Sequence, residues 1–175
     1  MTVIGEDRPG LVESIAALVA EHQGNWLDSR MSRLGGQFAG ILQVEVPSEK
    51  ATALAIALHK LSANGLTVVV HPDRQAQHGQ RRRLAELDIV GQDRPGIVRQ
   101  ITRVLAERAI NVEELHTERS SAAMSGEMIF RARAILCLPE SCSAPGLLRE
   151  LETIAADLIV DVSLSEVAPA KTPAT

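Results

Sequence analysis

Tyrosine is absent from this chain of 175 residues, and its aromatic side chains are Trp26, Phe38 and Phe130 alone. So few rings exclude the stacking platforms on which single-stranded nucleic-acid binders rest their bases. Positive charge is short as well: 18 Lys and Arg stand against 22 Asp and Glu, a net charge of −4, which argues against a general polyanion or nucleic-acid binder. The two cysteines, Cys137 and Cys142, are too few for a disulfide framework or a thiolate metal centre. Cys137 lies in an apolar run and is expected to be a small core residue, and such cysteine use fits a reducing cytoplasm. No apolar stretch approaches the ~18–20 residues a membrane span needs, and Met1 leads into Thr2-Val3-Ile4 without a basic, then apolar, leader. His22, His59, His71, His78 and His116 show no metal-ligand spacing. His116, beside Glu113, Glu114 and Glu118, reads as part of a solvated face. No nucleophile signature surrounds a serine, and no phosphate-binding glycine loop is present. The expectation is a protein that is not an enzyme and uses no cofactor and no metal.

What the chain does have is an internal repeat. Gly5-Glu6-Asp7-Arg8-Pro9-Gly10 returns 86 residues later as Gly91-Gln92-Asp93-Arg94-Pro95-Gly96. Residues 4–25 and 90–111 match without gaps at ten of 22 positions, where chance gives roughly one or two. Beyond the motif the matches include Val12/Val98, Ile15/Ile101, Ala20/Ala106, Glu21/Glu107 and Asn25/Asn111. A tandem duplication follows, with a first domain at 1–71, a polar linker at 72–83, a second domain at 84–166 and a disordered tail, rich in Ala and Pro, at 167–175. The linker holds Arg81-Arg82-Arg83, read as a solvated tether rather than a nucleic-acid patch.

Each half reads strand, helix, strand, strand, helix, strand. Met1–Gly5 is a short counterpart of the strand Leu84–Gly91, as if clipped, which leaves open a natural chain that starts upstream of Met1. Leu11, Ile15, Leu18 and Val19 recur at helical spacing, as do Ile97, Ile101, Val104 and Leu105. Strand two is expected at Trp26–Met31 and Val112–Thr117, and strand three at Phe38–Val46 and Phe130–Leu138. Gly35-Gly36 marks the intervening turn, which is about six residues longer in the second half, at Ser120–Gly126. In strand three Ala39 and Ile41 occupy the face that Arg131 and Arg133 occupy in the second half. Helix two is expected near Glu49–Ala63, with a partner carrying Leu147, Leu151, Ile154 and Leu158. The last strands are expected at Leu66–His71 and Leu158–Ser165. This is an α+β protein of two ferredoxin-like βαββαβ units, each an antiparallel sheet with helices on one face; the other face and the edges want cover.

In the motif, Gly5 and Gly91 are expected to allow a sharp exit from the strand. Pro9 and Pro95 suit a first helical turn, and Asp7 and Asp93 can accept hydrogen bonds from its free N–H groups. Gly10 and Gly96 leave the turn open to close approach. A helix N-terminus suits a carboxylate, and Arg8 or Arg94 can add a charge-assisted bond. Asp and Asn nearby can take an ammonium group, so these are parts for holding a small zwitterion; a mere helix cap is the competing reading, with Asn25 and Asn111 as turn residues. If φ is negative at Gly10 and Gly96, leucine there would block a ligand and lend the helix up to about 1 kcal/mol.

Gly-x-Asp-Arg-Pro-Gly followed by an apolar helix, in a βαββαβ frame, resembles the ACT domains, small regulatory modules that bind amino acids. The stretch from Gly5 to Val12 is most similar to the glycine cleavage system transcriptional repressor family. That resemblance implies a cytoplasmic accessory protein that responds to glycine and acts on a LysR-type activator, not on DNA directly. It also implies ligands held between two modules, by the first loop of one and the start of strand two of its neighbour: Asp7, Arg8, Pro9, Gly10 and Asn25, with Asp93, Arg94, Pro95, Gly96 and Asn111. An ACT pair that binds no small molecule is the alternative. A homodimer stays open, as does a monomer with internal pairing.

Overall fold

A computed structural model of the chain describes residues 1–72, 83–122 and 126–167. It forms two compact units, Met1–Ala76 and Gln77–Thr175. The first unit runs β1 (Thr2–Glu6), α1 (Leu11–Glu21), β2 (Asn25–Leu34), β3 (Gln37–Glu45), α2 (Ser48–Lys60), a 3-10 turn (Leu61–Asn64) and β4 (Leu66–Val69). The second runs β5 (Arg83–Gln92), α3 (Ile97–Glu107), β6 (Asn111–Ser121), β7 (Met128–Leu138), α4 (Ala144–Leu158) and β8 (Val160–Val167). The strand orders are β2-β3-β1-β4 and β6-β7-β5-β8, the same plan twice, and every pairing is antiparallel.

Each core lies between one sheet face and two helices. Leu11, Ile15 and Val19, four residues apart, bury one stripe of α1, and Ile97, Ile101, Val104 and Leu105 do the same in α3; this 3.6-residue periodicity is what makes these segments amphipathic helices. Opposite them, alternate strand residues point inward: Val3, Leu42, Leu66 and Val68 in the first unit, and Ala85, Leu87, Ile89, Ala132, Ala134 and Leu136 in the second. Trp26 on β2 packs against the first core. Ser143 caps α4, its hydroxyl accepting from the Gly146 N–H at 3.4 Å.

Several boundaries depart from the sequence reading. Strands β2 and β6 continue past Met31 and Thr117, because the pairing register holds further along: Leu34 still pairs with Gln37, and Ser121 with Met128. Helix α2 stops at Lys60 and tightens into the 3-10 turn. Leu158 closes α4 rather than opening β8, and Ile159 after it adopts a left-handed conformation at φ 56°. Arg83 belongs to β5, not to the linker; its guanidinium donates to the Cys142 carbonyl at 3.0 Å and to Glu166 Oε1 at 2.7 Å. Residues 73–82, with Arg81, Arg82 and His78, and the tail from 168 onward lie outside the described residues. Cys137 is half-buried, because Leu136 and Leu138 take the core face of β7 and alternation turns Cys137 to the other face. Cys142 is the thiol in the core.

Gly5 and Gly91 have a different reason from the one expected. Both sit inside strands, and neither has a positive φ. A Cβ on Gly5 would overlap the Gly65 carbonyl oxygen, and a Cβ on Gly91 the Ile159 carbonyl oxygen. They are glycines because the chain entering the last strand passes too close for a side chain.

Candidate ligand-binding turns

The motif residues occupy the loops from β1 to α1 and from β5 to α3. Gly10 has φ 92° and ψ −2°, and Gly96 has φ 97° and ψ −4°. These angles fit the third position of a type II turn, with Pro9 or Pro95 at the second and only glycine comfortable after it. The prolines therefore precede the N-cap glycines rather than filling the first helical turn. The N-cap glycine carbonyl starts each helix, accepting from the Ser14 N–H at 2.9 Å and the Gln100 N–H at 3.0 Å. No side chain caps either helix. A Cβ on Gly10 would meet nothing within 4 Å, so the outer side of this turn is open.

The aspartates do not cap; they pair across the hairpin ends. Asp7 Oδ2 lies 2.5 Å from Arg33 Nε, and Asp93 Oδ2 lies 3.4 Å from Arg119 Nε. The Asp7 N–H donates to the Gly36 carbonyl at 2.9 Å and the Asp93 N–H to the Met128 carbonyl at 2.8 Å, which fixes each loop against the end of its sheet. The sequence reading did not single out Arg33 and Arg119 as partners of the motif aspartates. Their signal was the repeat itself: at the same 86-residue offset they are the next identity after Asn25/Asn111. The motif arginines differ between units. Arg8 donates to the Asn64 carbonyl at 2.6 Å, whereas Arg94 donates to Gln92 Oε1 at 3.0 Å.

Asn25 and Asn111 are not brought to these turns within their own units. Each is the exposed first residue of its strand, and Asn25 pairs with Glu45 at the far end of the sheet. From Asn25 to Arg33 is about 26 Å at roughly 3.3 Å per residue. Asn111 Nδ2 donates to Glu113 Oε1 at 2.8 Å. The ten residues thus form, in each unit, a cluster of four consecutive residues and one separate asparagine.

The sheet faces turned away from the helices differ in chemistry. In the second unit Arg133 Nε lies 2.8 Å from Glu86 and 2.9 Å from Asp88, and Arg131 lies 3.5 Å from Glu118. The hydrogen bond to Asp88 and the charges of Asp88 and Glu86 raise the Arg133 pKa above its ordinary value. A crevice under α3, lined by Ile97, Ile101, Leu105, Val112, Leu115 and Phe130 among others, is apolar and lacks the charges that a zwitterion needs. Among the described residues no group of three or more His, Cys, Asp or Glu could hold a metal ion, and no helix is long and apolar enough to cross a membrane.

ACT-domain family profiles match residues 1–71 and residues 85–134. The chain belongs to the ACT-domain family. Solved structures of other proteins match the fold over both units. One is an unknown protein from Galdieria sulphuraria, with a TM-score of 0.80 and 29% identity over 95% of this chain and 96% of that one. Another is a proposed glycine cleavage system transcriptional repressor, with a TM-score of 0.69 and 21% identity over 95% of this chain and 94% of that one; at that identity the likeness is one of fold. No curated protein sequence matches significantly. The second profile ends at residue 134, yet the ACT plan continues through α4 and β8 and completes βαββαβ in both units.

Proposed function

We propose that this tandem ACT protein is a non-enzymatic regulator that senses an amino acid and acts in the cytoplasm through a protein partner. The observation that carries the reading is the turn made twice: an open left-handed glycine, an uncapped helix N-terminus and an aspartate–arginine pair side by side. An α-carboxylate matches the helix N–H groups and the arginine, and an α-ammonium matches the aspartate. Nothing in the turn supplies a side-chain pocket, so glycine is the effector that fits best. Asn25 and Asn111 join the site only where a neighbouring module supplies them. The partner in this reading is a LysR-type transcriptional activator, whose capture represses the glycine cleavage genes. The net charge of −4 favours a protein partner over DNA.

Linkage gives the test. If glycine controls the association, the activator must change glycine affinity by the same factor as glycine changes activator affinity. Calorimetric titration of glycine, serine and alanine into the protein, with and without the activator, is expected to show glycine binding that shifts when the activator is present. Equal affinities with an intact complex would sink the sensor reading. One observation favours a second account: each aspartate already has an arginine partner in its own unit, so the turns could serve structure alone. In that account the protein is a pairing module without a small ligand, and no amino acid gives heat on titration.

A further inference from the structure

The two units carry equivalent sheets whose open faces are chemically opposite. In the second unit that face presents Glu86, Asp88, Arg131 and Arg133, joined as ion pairs with Glu118 at the edge. In the first unit the positions of Arg131 and Arg133 hold Ala39 and Ile41, as the registers with Phe130 and Phe38 show. Ile4 pairs with Ala39 and with Thr67, and Ile41 and Val69 flank Thr2 in the next row. Ile41 is 65% exposed, Ile4 50% and Val69 44%. Thr2, Thr67 and Ser32 surround this centre; Arg30 on the edge strand β2 pairs with Ile41, and Glu6, Asp28 and Glu45 lie toward the strand ends. These side chains form one contiguous exposed apolar patch, the kind of feature from which an interaction surface is built.

We infer that this face of the first unit binds the same face of a second copy of the chain, sheet against sheet. Chemistry selects the occupant. Placing the ionic face of a second unit there would strip water from Arg131, Arg133, Glu86 and Asp88 against a centre of Ile4, Ala39, Ile41 and Val69 that offers them no charge. A second copy instead meets isoleucine and valine with isoleucine and valine, and a two-fold axis makes one patch self-complementary. The rim carries both signs, with Asp28 and Arg30 4.0 Å apart, so no like-charge contact is imposed. The area suffices. Four strands about 4.8 Å apart, averaging about seven residues of roughly 3.4 Å, give a footprint of about 450 Å² per copy. Two such footprints, whose accessible area exceeds their flat projection, reach the ~1,000 Å² of a specific interface. Aligned sheet packing is the geometry such faces adopt.

The second unit itself supplies the test variant. Ala39→Arg with Ile41→Arg copies Arg131 and Arg133 onto the first unit, side chains this sheet plan already accepts. Sedimentation equilibrium of the full chain, from about 1 to 100 μM, is expected to show a dimer for the unaltered protein and a monomer for the double variant, with association weakened at least tenfold. Circular dichroism and urea unfolding check that the variant folds; if it does not, Ile41→Arg alone, at a position already mostly exposed, takes its place. A monomer for the unaltered protein across that range overturns the inference and returns the face to a different partner. A dimer that survives the arginine substitutions overturns it too, and places the contact elsewhere.

Discussion

Arg33 Nε stands 2.5 Å from Asp7 Oδ2, linking the end of the β2–β3 hairpin to the loop that starts α1. Arg119 and Asp93 repeat the link at 3.4 Å. Arg33 is 70% exposed and Asp7 30%, so solvent screens the pair and its share of stability is about 0–1 kcal/mol. In the sensor reading proposed above, a pair this weak opens to a charged ligand at little cost.

Asp7→Asn and Asp93→Asn are therefore expected to shift urea unfolding by no more than about 1 kcal/mol, while amino-acid affinity falls at least tenfold. Calorimetry on the single and double variants separates the two units. Affinity that survives the double substitution would exclude the turns as the site.

Gly10→Ala and Gly96→Ala are expected to destabilise by about 1–2 kcal/mol, although an added methyl meets open space at Gly10. The cause is backbone handedness at φ 92° and 97°, where an L side chain meets its own backbone. The helix gain expected for leucine at negative φ does not apply. Urea midpoints at unchanged m-value measure the loss.

Gly5→Ala and Gly91→Ala are expected to cost about 1–3 kcal/mol by overpacking, since the new Cβ meets a carbonyl oxygen at the entry to β4 or β8. Far-UV circular dichroism against urea gives the figure. A neutral result would mean that these chain segments separate easily.

Substitutions in the other direction should stabilise. Ile159 and Ala109 hold φ 56° and 54° without being glycine, whereas Gly65 fills the position equivalent to Ile159 with φ 76°. Ile159→Gly and Ala109→Gly are each expected to gain about 0.5–1 kcal/mol, the left-handed strain of ~1–2 kcal/mol less the entropy that glycine loses on folding. A rise in thermal midpoint checks this; a fall would show that the Ile159 side chain contributes more than its exposure suggests.

Much of this architecture was legible because duplication doubles every signal. Ile15 and Ile101, or Phe38 and Phe130, hold the same place in the same strand order, so apolar periodicity read in one half could be checked in the other. The turn chemistry was less legible. Whether Asp7 caps a helix or meets Arg33 depends on which residues the hairpin brings beside it. Whether Gly10 or Pro9 precedes the first helical residue depends on one dihedral angle. Cys137 was misplaced by composition, although strict alternation past Leu136 and Leu138 would have turned it away from the core. Asn25 was grouped with the motif through the ACT resemblance, as a residue that a neighbouring module supplies; within its own unit α1 carries the chain to the opposite end of the sheet.

Trp26, packed on the first core, is the only tryptophan in a chain without tyrosine. Absorbance near 280 nm and intrinsic emission therefore report one unit, and the other, with Phe130 in place of any Trp or Tyr, is optically almost silent. An effector held by second-unit residues alone, without Asn25 beside Trp26, is expected to leave the fluorescence unmoved, and a titration read by light alone would score a half-filled protein as empty.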